Sequence, residues 1–325
     1  MKIFKHILGI ACFSALFASC AVDGEDIGAP IEITPEYNLD EGKASDADKA
    51  RIKQLYEKYG SYIIYNGTEK DAFWKLYTGN ANNTLIPHIT NGDPANVGKM
   101  LDYLNDIWFK YFDDDFLKNG GMPYRLFIVD EYYTWRDWGD GTGMKTNADY
   151  LINSEGHAIV MAGMNTVEGM SEADKATKRA AFISDLLNYY LNSGIMTFPQ
   201  EFYDVTDYVN EPRFYLANPT DYSYTLDQED FLNRGFVPQV NVYSWGTNIG
   251  WWLYKYTSGY STWASTSKEN LMANDRSYYM KLILNMDDEF MKPYLEHELI
   301  KKKWNIILDH FKKNYKLDLR AFAQK

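Results

Sequence analysis

The segment from Ser171 to Leu191 does most to limit the folds open to this chain. It reads as one uninterrupted amphipathic helix. Ser171 with Asp174 three residues later resembles a capping box at its start. Ala181, Ile183, Leu186, Leu187, Tyr190 and Leu191 form a broad apolar face, and Gly194 stops the helix. A turn follows, then Phe198-Pro199-Gln200-Glu201-Phe202. A face that wide has to be buried under a second layer of structure, so the segment predicts a core helix of a packed domain.

The N-terminus reads as a targeting segment. Lys2 and Lys5 form a basic region, and Ile7 to Phe17 an apolar core too short to span a bilayer. Phe17-Ala18-Ser19-Cys20 resembles a bacterial lipobox, which implies cleavage before Cys20 and lipidation of that residue. An ordinary signal peptide with an incidental Cys is the other reading. Buried lipid methylenes contribute about 0.8 kcal/mol each, so several acyl chains anchor a protein firmly. The only other Cys is Cys12, inside the signal. The mature chain therefore has no internal disulfide and no thiolate for catalysis or zinc.

Residues 1–19 are thus read as signal, 20–43 as a lipidated acidic tether, and 44–325 as one domain. The tether is broken by Gly24, Gly28, Pro30 and Pro35. Asp23, Glu25 and Asp26 follow Cys20 closely; they resemble a surface-export signal of Bacteroidetes lipoproteins and equally suit a solvated linker. The net charge of −12 argues against nucleic acid as a partner, which wants a basic face.

Along the domain, helices are predicted over Ser45–Tyr59, Asp93–Phe112, Gln200–Asp207, Gln228–Asn233, Asn248–Tyr256, Lys268–Met286 and Asp288–Tyr315. Strands are predicted at Ser61–Tyr65, Arg125–Val129 and His157–Met161. Between the last two lies Trp135-Arg-Asp-Trp138-Gly-Asp-Gly-Thr-Gly143, a Gly-rich loop without phosphate-loop spacing. The order predicts an α+β fold, with a small early sheet and a mostly helical second half.

Several segments together resemble the Bacteroidetes zinc-binding metallopeptidase lipoproteins, also described as substrate-import-associated zinc metallohydrolase lipoproteins. They are Tyr56-Glu-Lys-Tyr-Gly60 with Tyr62-Ile-Ile-Tyr65, Phe198–Phe202, Arg234-Gly-Phe-Val-Pro238, and Lys301-Lys-Lys-Trp304 with Leu317-Asp-Leu319. The resemblance implies a gluzincin-like fold. It also implies an HExxH helix before the Phe198 turn, and a Glu on a later helix as third zinc ligand. The matching positions carry none of these. Ser184 and Asn188 stand where the two His would be, Asp185 where the general base would be, and Trp251 where the Glu would be. Ser and Asn are poor neutral ligands for zinc. No His occurs from Ala158 to Glu296, so a shift of register does not restore the motif.

Other candidates are weaker. His297-Glu298 begins like HExxH but meets Lys301. His88 and His157 stand alone, and Asp113-Asp-Asp115 lacks calcium-loop spacing. Aromatic residues make up 16% of the chain, so some fall outside the core. Trp135, Trp138 and Trp245 are candidates for a ligand-binding face, with core packing as the alternative.

The resemblance therefore implies an outer-membrane lipoprotein, at the cell surface or otherwise on the periplasmic face. It implies nutrient uptake beside a TonB-dependent transporter and its substrate-binding lipoprotein, with a glycan or peptide as ligand. The missing ligands point to a binding or accessory role with no cofactor. The alternative is an active zinc metallohydrolase using other residues, such as Glu155, His157, Glu201 or Asp204.

Overall fold

The structure, a computed structural model, describes residues 36–76, 85–138, 140, 142–210, 213–218, 223–240, 247–248, 256–257, 260–261 and 267–323. The chain divides into two units, Met1–Asn38 and Leu39–Lys325, and the second carries everything below.

Helix α1 (Asp46–Tyr59) opens that unit. The Ser45 hydroxyl accepts from the Asp48 amide at 3.1 Å and donates to the Asp48 carboxylate at 2.7 Å. Gly60 ends the helix at φ 70°, where a Cβ would be strained. Strand β1 (Tyr62–Ile64), the single turn α2 (Glu69–Ala72) and β2 (Leu85–Thr90) follow. Pro94 begins a 3-10 turn that leads into α3 (Val97–Ile107). The helix predicted to reach Phe112 breaks at Trp108 into a second 3-10 turn, and α4 (Asp114–Phe116) comes next. Then come β3 (Arg125–Ile128), β4 (Glu131–Asp137), β5 (Gly143–Ala148), β6 (Tyr150–Asn153) and β7 (Ala158–Met161).

The second half begins with α5 (Glu172–Asn192) and α6 (Gln200–Asp204). Short strands β8 (Phe214–Asn218) and β9 (Ser223–Leu226) precede α7 (Gln228–Asn233). Two further strand pairs follow, β10 (Gln239–Val240) with β11 (Thr247–Asn248), and β12 (Tyr256–Thr257) with β13 (Tyr260–Ser261). The chain ends in α8 (Lys268–Asn285), α9 (Asp288–Met291) and α10 (Glu298–Tyr315). This is a mixed α and β architecture, with its main sheet early and its long helices late.

The main sheet runs β1-β3-β7-β6. Strands β1, β3 and β7 are parallel, and every one of their residues is buried, as strands covered on both faces require. Strand β6 runs antiparallel to β7 and forms the edge among the described strands. One continuous apolar core joins this sheet to α3, α5, α8 and α10, with Trp108, Phe182, Tyr190, Tyr279 and Phe311 among its largest members.

Four expectations need correction. Trp135 lies inside strand β4, which ends at Asp137 and whose partner β2 runs from Leu85, about fifty residues earlier. The helix expected at Asn248–Tyr256 has strand at both ends, at Thr247–Asn248 and Tyr256–Thr257. The helix expected over Asp288–Tyr315 is broken into three pieces, because Pro293 lacks an amide and His297 sits in extended backbone at φ −77°, ψ 117°. The helix expected to reach Asp207 stops at Asp204.

Candidate functional site

Helix α5 is held from its first turn. The Ser171 hydroxyl accepts from the Asp174 amide at 3.1 Å and donates to its carboxylate at 2.6 Å, a capping box with Asp in place of Glu. Ala180, Phe182, Ile183, Leu186, Leu187 and Tyr190 are buried. The face is rotated slightly from the sequence expectation: Ala181 is exposed and Leu191 half-buried. Tyr190 anchors the far end through a hydrogen bond from its hydroxyl to the Gly121 carbonyl at 2.5 Å.

The polar side of α5 faces the sheet edge. Asp185, Asn188, Tyr189, Asn192 and Ser193 line a groove of about 550 Å³, closed on the other side by Tyr150, Leu151, Ile152 and Ser154 of the β6 segment. Positions 185, 188, 189 and 192 share one helical face at spacings of three and four. The Tyr150 hydroxyl donates to Asp185 Oδ2 at 2.7 Å, and the Tyr150 ring meets Phe182 edge-on at 5.2 Å. Asp185 is otherwise exposed, and Ser184 and Asn188 are half-buried. Asp185 and Asn188 thus share the groove, while Ser184 lies outside its lining.

Register fixes what β6 offers. The amide of Ala162 donates to the Asp149 carbonyl at 2.8 Å, and these residues lie opposite one another in the β6–β7 pairing. Antiparallel pairs alternate, so Leu151 and Asn153 bond towards β7. The amide and carbonyl of Ile152 consequently point away from β7. Its side chain packs on the core with that of Tyr150, on the α5 side.

These donors do not suit zinc. The groove offers one carboxylate, already bonded to a phenol, beside two neutral amides and hydroxyl groups, whereas zinc prefers imidazole, thiolate or several carboxylates. Among the described residues no three His, Cys, Asp or Glu side chains come together in a way that would hold a metal ion. Glu155 and His157 are exposed in the β6–β7 turn, with His157 at φ 48°. Glu201 and Asp204 are exposed on α6. His297 precedes α10 and bonds Asn233, so it does not share a helical face with Glu298. His88 bonds Glu69 at 2.8 Å and stacks on Tyr133.

The aromatic candidates lie elsewhere. Trp135 is half-buried on β4, its ring lying so close over Gly143 that a Cβ there would come within 2.3 Å. Trp138, 59% exposed, follows β4. Neither lines the groove. Trp245, Trp251 and Cys20 lie outside the described residues.

A second constellation was not anticipated from sequence. Lys303 of α10 and Asp275 of α8 are both fully buried and form an ion pair. The Lys303 ammonium also donates to Thr206 Oγ1 at 2.9 Å and to the Gly235 carbonyl at 3.0 Å. The Tyr208 hydroxyl donates to the same Asp275 oxygen, Oδ2, and the Tyr279 hydroxyl donates to Gly235 O at 2.8 Å. Four rings surround the ammonium, with centroids 4.3 Å (Phe202), 4.7 Å (Tyr279), 5.6 Å (Phe236) and 5.8 Å (Tyr208) away. Asp275 Oδ1 is buried and receives no hydrogen bond among the described residues. Burial pulls Lys303 down to about 8 against the pull of Asp275, and burial pushes Asp275 up against Lys303 and Tyr208. Three of the sequence segments singled out above meet here: Phe202, Gly235 with Phe236, and Lys303. The visible signal was an unusual clustering of Lys301, Lys302 and Lys303, which reads in isolation as a solvated charge run.

No family model and no curated protein matches this chain. Among solved structures, a candidate zinc-binding metallo-peptidase from Bacteroides caccae is similar at a TM-score of 0.40 and 10% identity, over 86% of this chain and 91% of that one.

Proposed function

We propose that this protein binds an extended peptide in the groove between β6 and α5 and does not hydrolyse it. On this reading the domain is a gluzincin-like metallopeptidase scaffold whose zinc ligands are gone. It is carried on an outer-membrane lipoprotein anchored through Cys20, at the cell surface or on the periplasmic face. Its role is accessory: holding substrate for nutrient uptake beside a TonB-dependent transporter and its substrate-binding lipoprotein.

The observation that carries the reading is the groove itself. An edge strand presents the Ile152 amide and carbonyl to a cleft floored by a polar helix face. An extended peptide can add to such an edge, with main-chain hydrogen bonds giving affinity and side-chain pockets giving specificity. Asp185 is the charged group in the lining, which favours a peptide with Lys or Arg opposite it. A peptide suits this cleft better than a glycan, since Trp74 and Trp138, the exposed tryptophans among the described residues, lie outside it.

The test is a binding screen of the purified full chain against extended peptides and against a glycan array, run with metal analysis and a peptidase assay with and without zinc. Peptide binding without stoichiometric zinc or cleavage is expected. Stoichiometric zinc with zinc-dependent cleavage, lost on His157→Ala, would establish the hydrolase instead. Glycan binding lost on Trp135→Ala or Trp138→Ala would move the ligand to the β4 ribbon.

A further inference from the structure

We propose that Lys303 and Asp275 are joined by an isopeptide bond between Lys303 Nζ and Asp275 Cγ, which the folded chain forms by itself with loss of one water.

The geometry is that of a dry reaction centre. Both side chains are fully buried and in direct contact, 28 positions apart in sequence and on different helices. Phe202, Tyr208, Phe236 and Tyr279 wall them off from solvent. A buried ion pair is costly unless every remaining lone pair and proton finds a partner. Here one carboxylate oxygen, Asp275 Oδ1, finds none among the described residues. Passing one proton from the ammonium to the carboxylate leaves an amine and a carboxylic acid, which a low-dielectric pocket tolerates far better than two charges. The opposed shifts of the two groups, Lys303 down and Asp275 up, run in that direction.

The neutral amine is then oriented for attack. It has two protons, and two acceptors besides Asp275 receive them: Thr206 Oγ1 and the Gly235 carbonyl. Its lone pair is left facing the Asp275 carboxyl. Nζ adds to Cγ, and the Cγ–Oδ2 bond breaks. Oδ2 departs as water, carrying the acid proton and one proton from Nζ. The Tyr208 hydroxyl, bonded to Oδ2, holds the leaving oxygen, and burial keeps Tyr208 protonated well above its ordinary range. Oδ1, the unpartnered atom, becomes the amide carbonyl. No oxidant, reductant or external reagent enters the balance.

The product is a covalent tie between α8 and α10. The only cysteines are Cys12 and Cys20, so no disulfide is available to cross-link the domain. A lysine–aspartate amide supplies a cross-link that reducing agents leave untouched.

Peptide mapping of the purified wild-type chain tests this directly, and needs no variant to fold. The expected result is a branched peptide joining the segment around Asp275 to the segment around Lys303, lighter by one water than its parts, with no tryptic cut after Lys303. Lys303→Arg and Asp275→Ala remove the branched species completely, and Tyr208→Phe slows its appearance in freshly refolded protein. Recovery of the two segments as separate, unmodified peptides from folded wild-type protein overturns the proposal and leaves a plain buried ion pair.

Discussion

A proline at position 152 separates main-chain recognition from every other way this groove could hold a ligand. The Ile152 amide faces away from β7, so Ile152→Pro breaks no bond of the sheet and falls where edge strands accept proline. It removes one donor to an incoming peptide and leaves the opposing peptide carbonyl unsatisfied. A net hydrogen bond contributes roughly 0.5–1.5 kcal/mol, and stranding its partner costs about 1–3 kcal/mol. The expected loss is therefore about 1–2 kcal/mol, roughly 5- to 30-fold in Kd. Ile152 also packs on the core, so the comparison is with Ile152→Ala, which sheds the side chain but keeps the amide. Fluorescence anisotropy with a labelled peptide from the screen reads both. Leu151→Pro is the structural control: its amide bonds towards Val160, and its loss strands that partner and loosens the edge, a penalty of about 1–3 kcal/mol seen in thermal melts. If Ile152→Pro and Ile152→Ala bind the peptide equally while both stay folded, strand addition at β6 is wrong.

Asp185→Asn should lower the preference for Lys- or Arg-bearing peptides roughly two- to fivefold, the range of an exposed ion pair, while leaving a neutral peptide unaffected in the same assay. Ser171→Ala removes the cap of α5 and should cost about 1 kcal/mol, a fall of roughly 2–4 °C in Tm by calorimetry. Gly235→Ala should destabilise by about 1–3 kcal/mol in denaturant melts. Its φ is +82°, and a Cβ there would lie 3.0 Å from the Leu299 Cβ and 3.3 Å from the Lys303 Cδ. A neutral result at Gly235 would mean the turn over the buried lysine relaxes freely.

Local chemistry was the legible part of this sequence. The cap at Ser171, the helix beginning at Ser45, and strands around Leu126 and Ile159 follow from side-chain type and short-range spacing alone; that those strands run parallel does not. Strand β4 was not legible for two reasons. Its tryptophans and following glycines resemble a loop, and its partner β2 is half-exposed and distant, so neither strand alternates cleanly. The hinge at Pro293 lay hidden under a continuous apolar period running through Met291 to Ile307, and it mattered more than that period. Asp185 and Asn188 were picked out as replaced ligands, but the groove beside them needs β6, which no sequence pattern announced. The Lys303–Asp275 pair lies beyond local reading altogether: an Asp in mid-helix and a Lys at the end of a run of three look solvated until Phe202, Tyr208 and Phe236 from elsewhere in the chain, with Tyr279 of the same helix as Asp275, close around them.

The two faces of α5 separate what seats the helix from what lines the groove. Phe182, Ile183, Leu186, Leu187 and Tyr190 are buried, and each such side chain contributes about 1.5–3 kcal/mol on burial. Asp185, Asn188 and Asn192 point to the groove and carry little of that energy, while Tyr189 also packs on the core. The helical period keeps the two sets apart, so groove positions can change while the packing that seats the helix stays intact. Where a structural zinc holds a fold together, removing its ligands unfolds the chain. Here the helix is seated by its apolar face and its cap, and neither depends on Asp185 or Asn188. Substitutions at Asp185 and Asn188 should accordingly alter binding while changing stability by no more than the few tenths of a kcal/mol typical of surface positions. A large fall in Tm at either position would mean that the groove face bears load for the fold, and that its polar residues were kept for stability and not for a ligand.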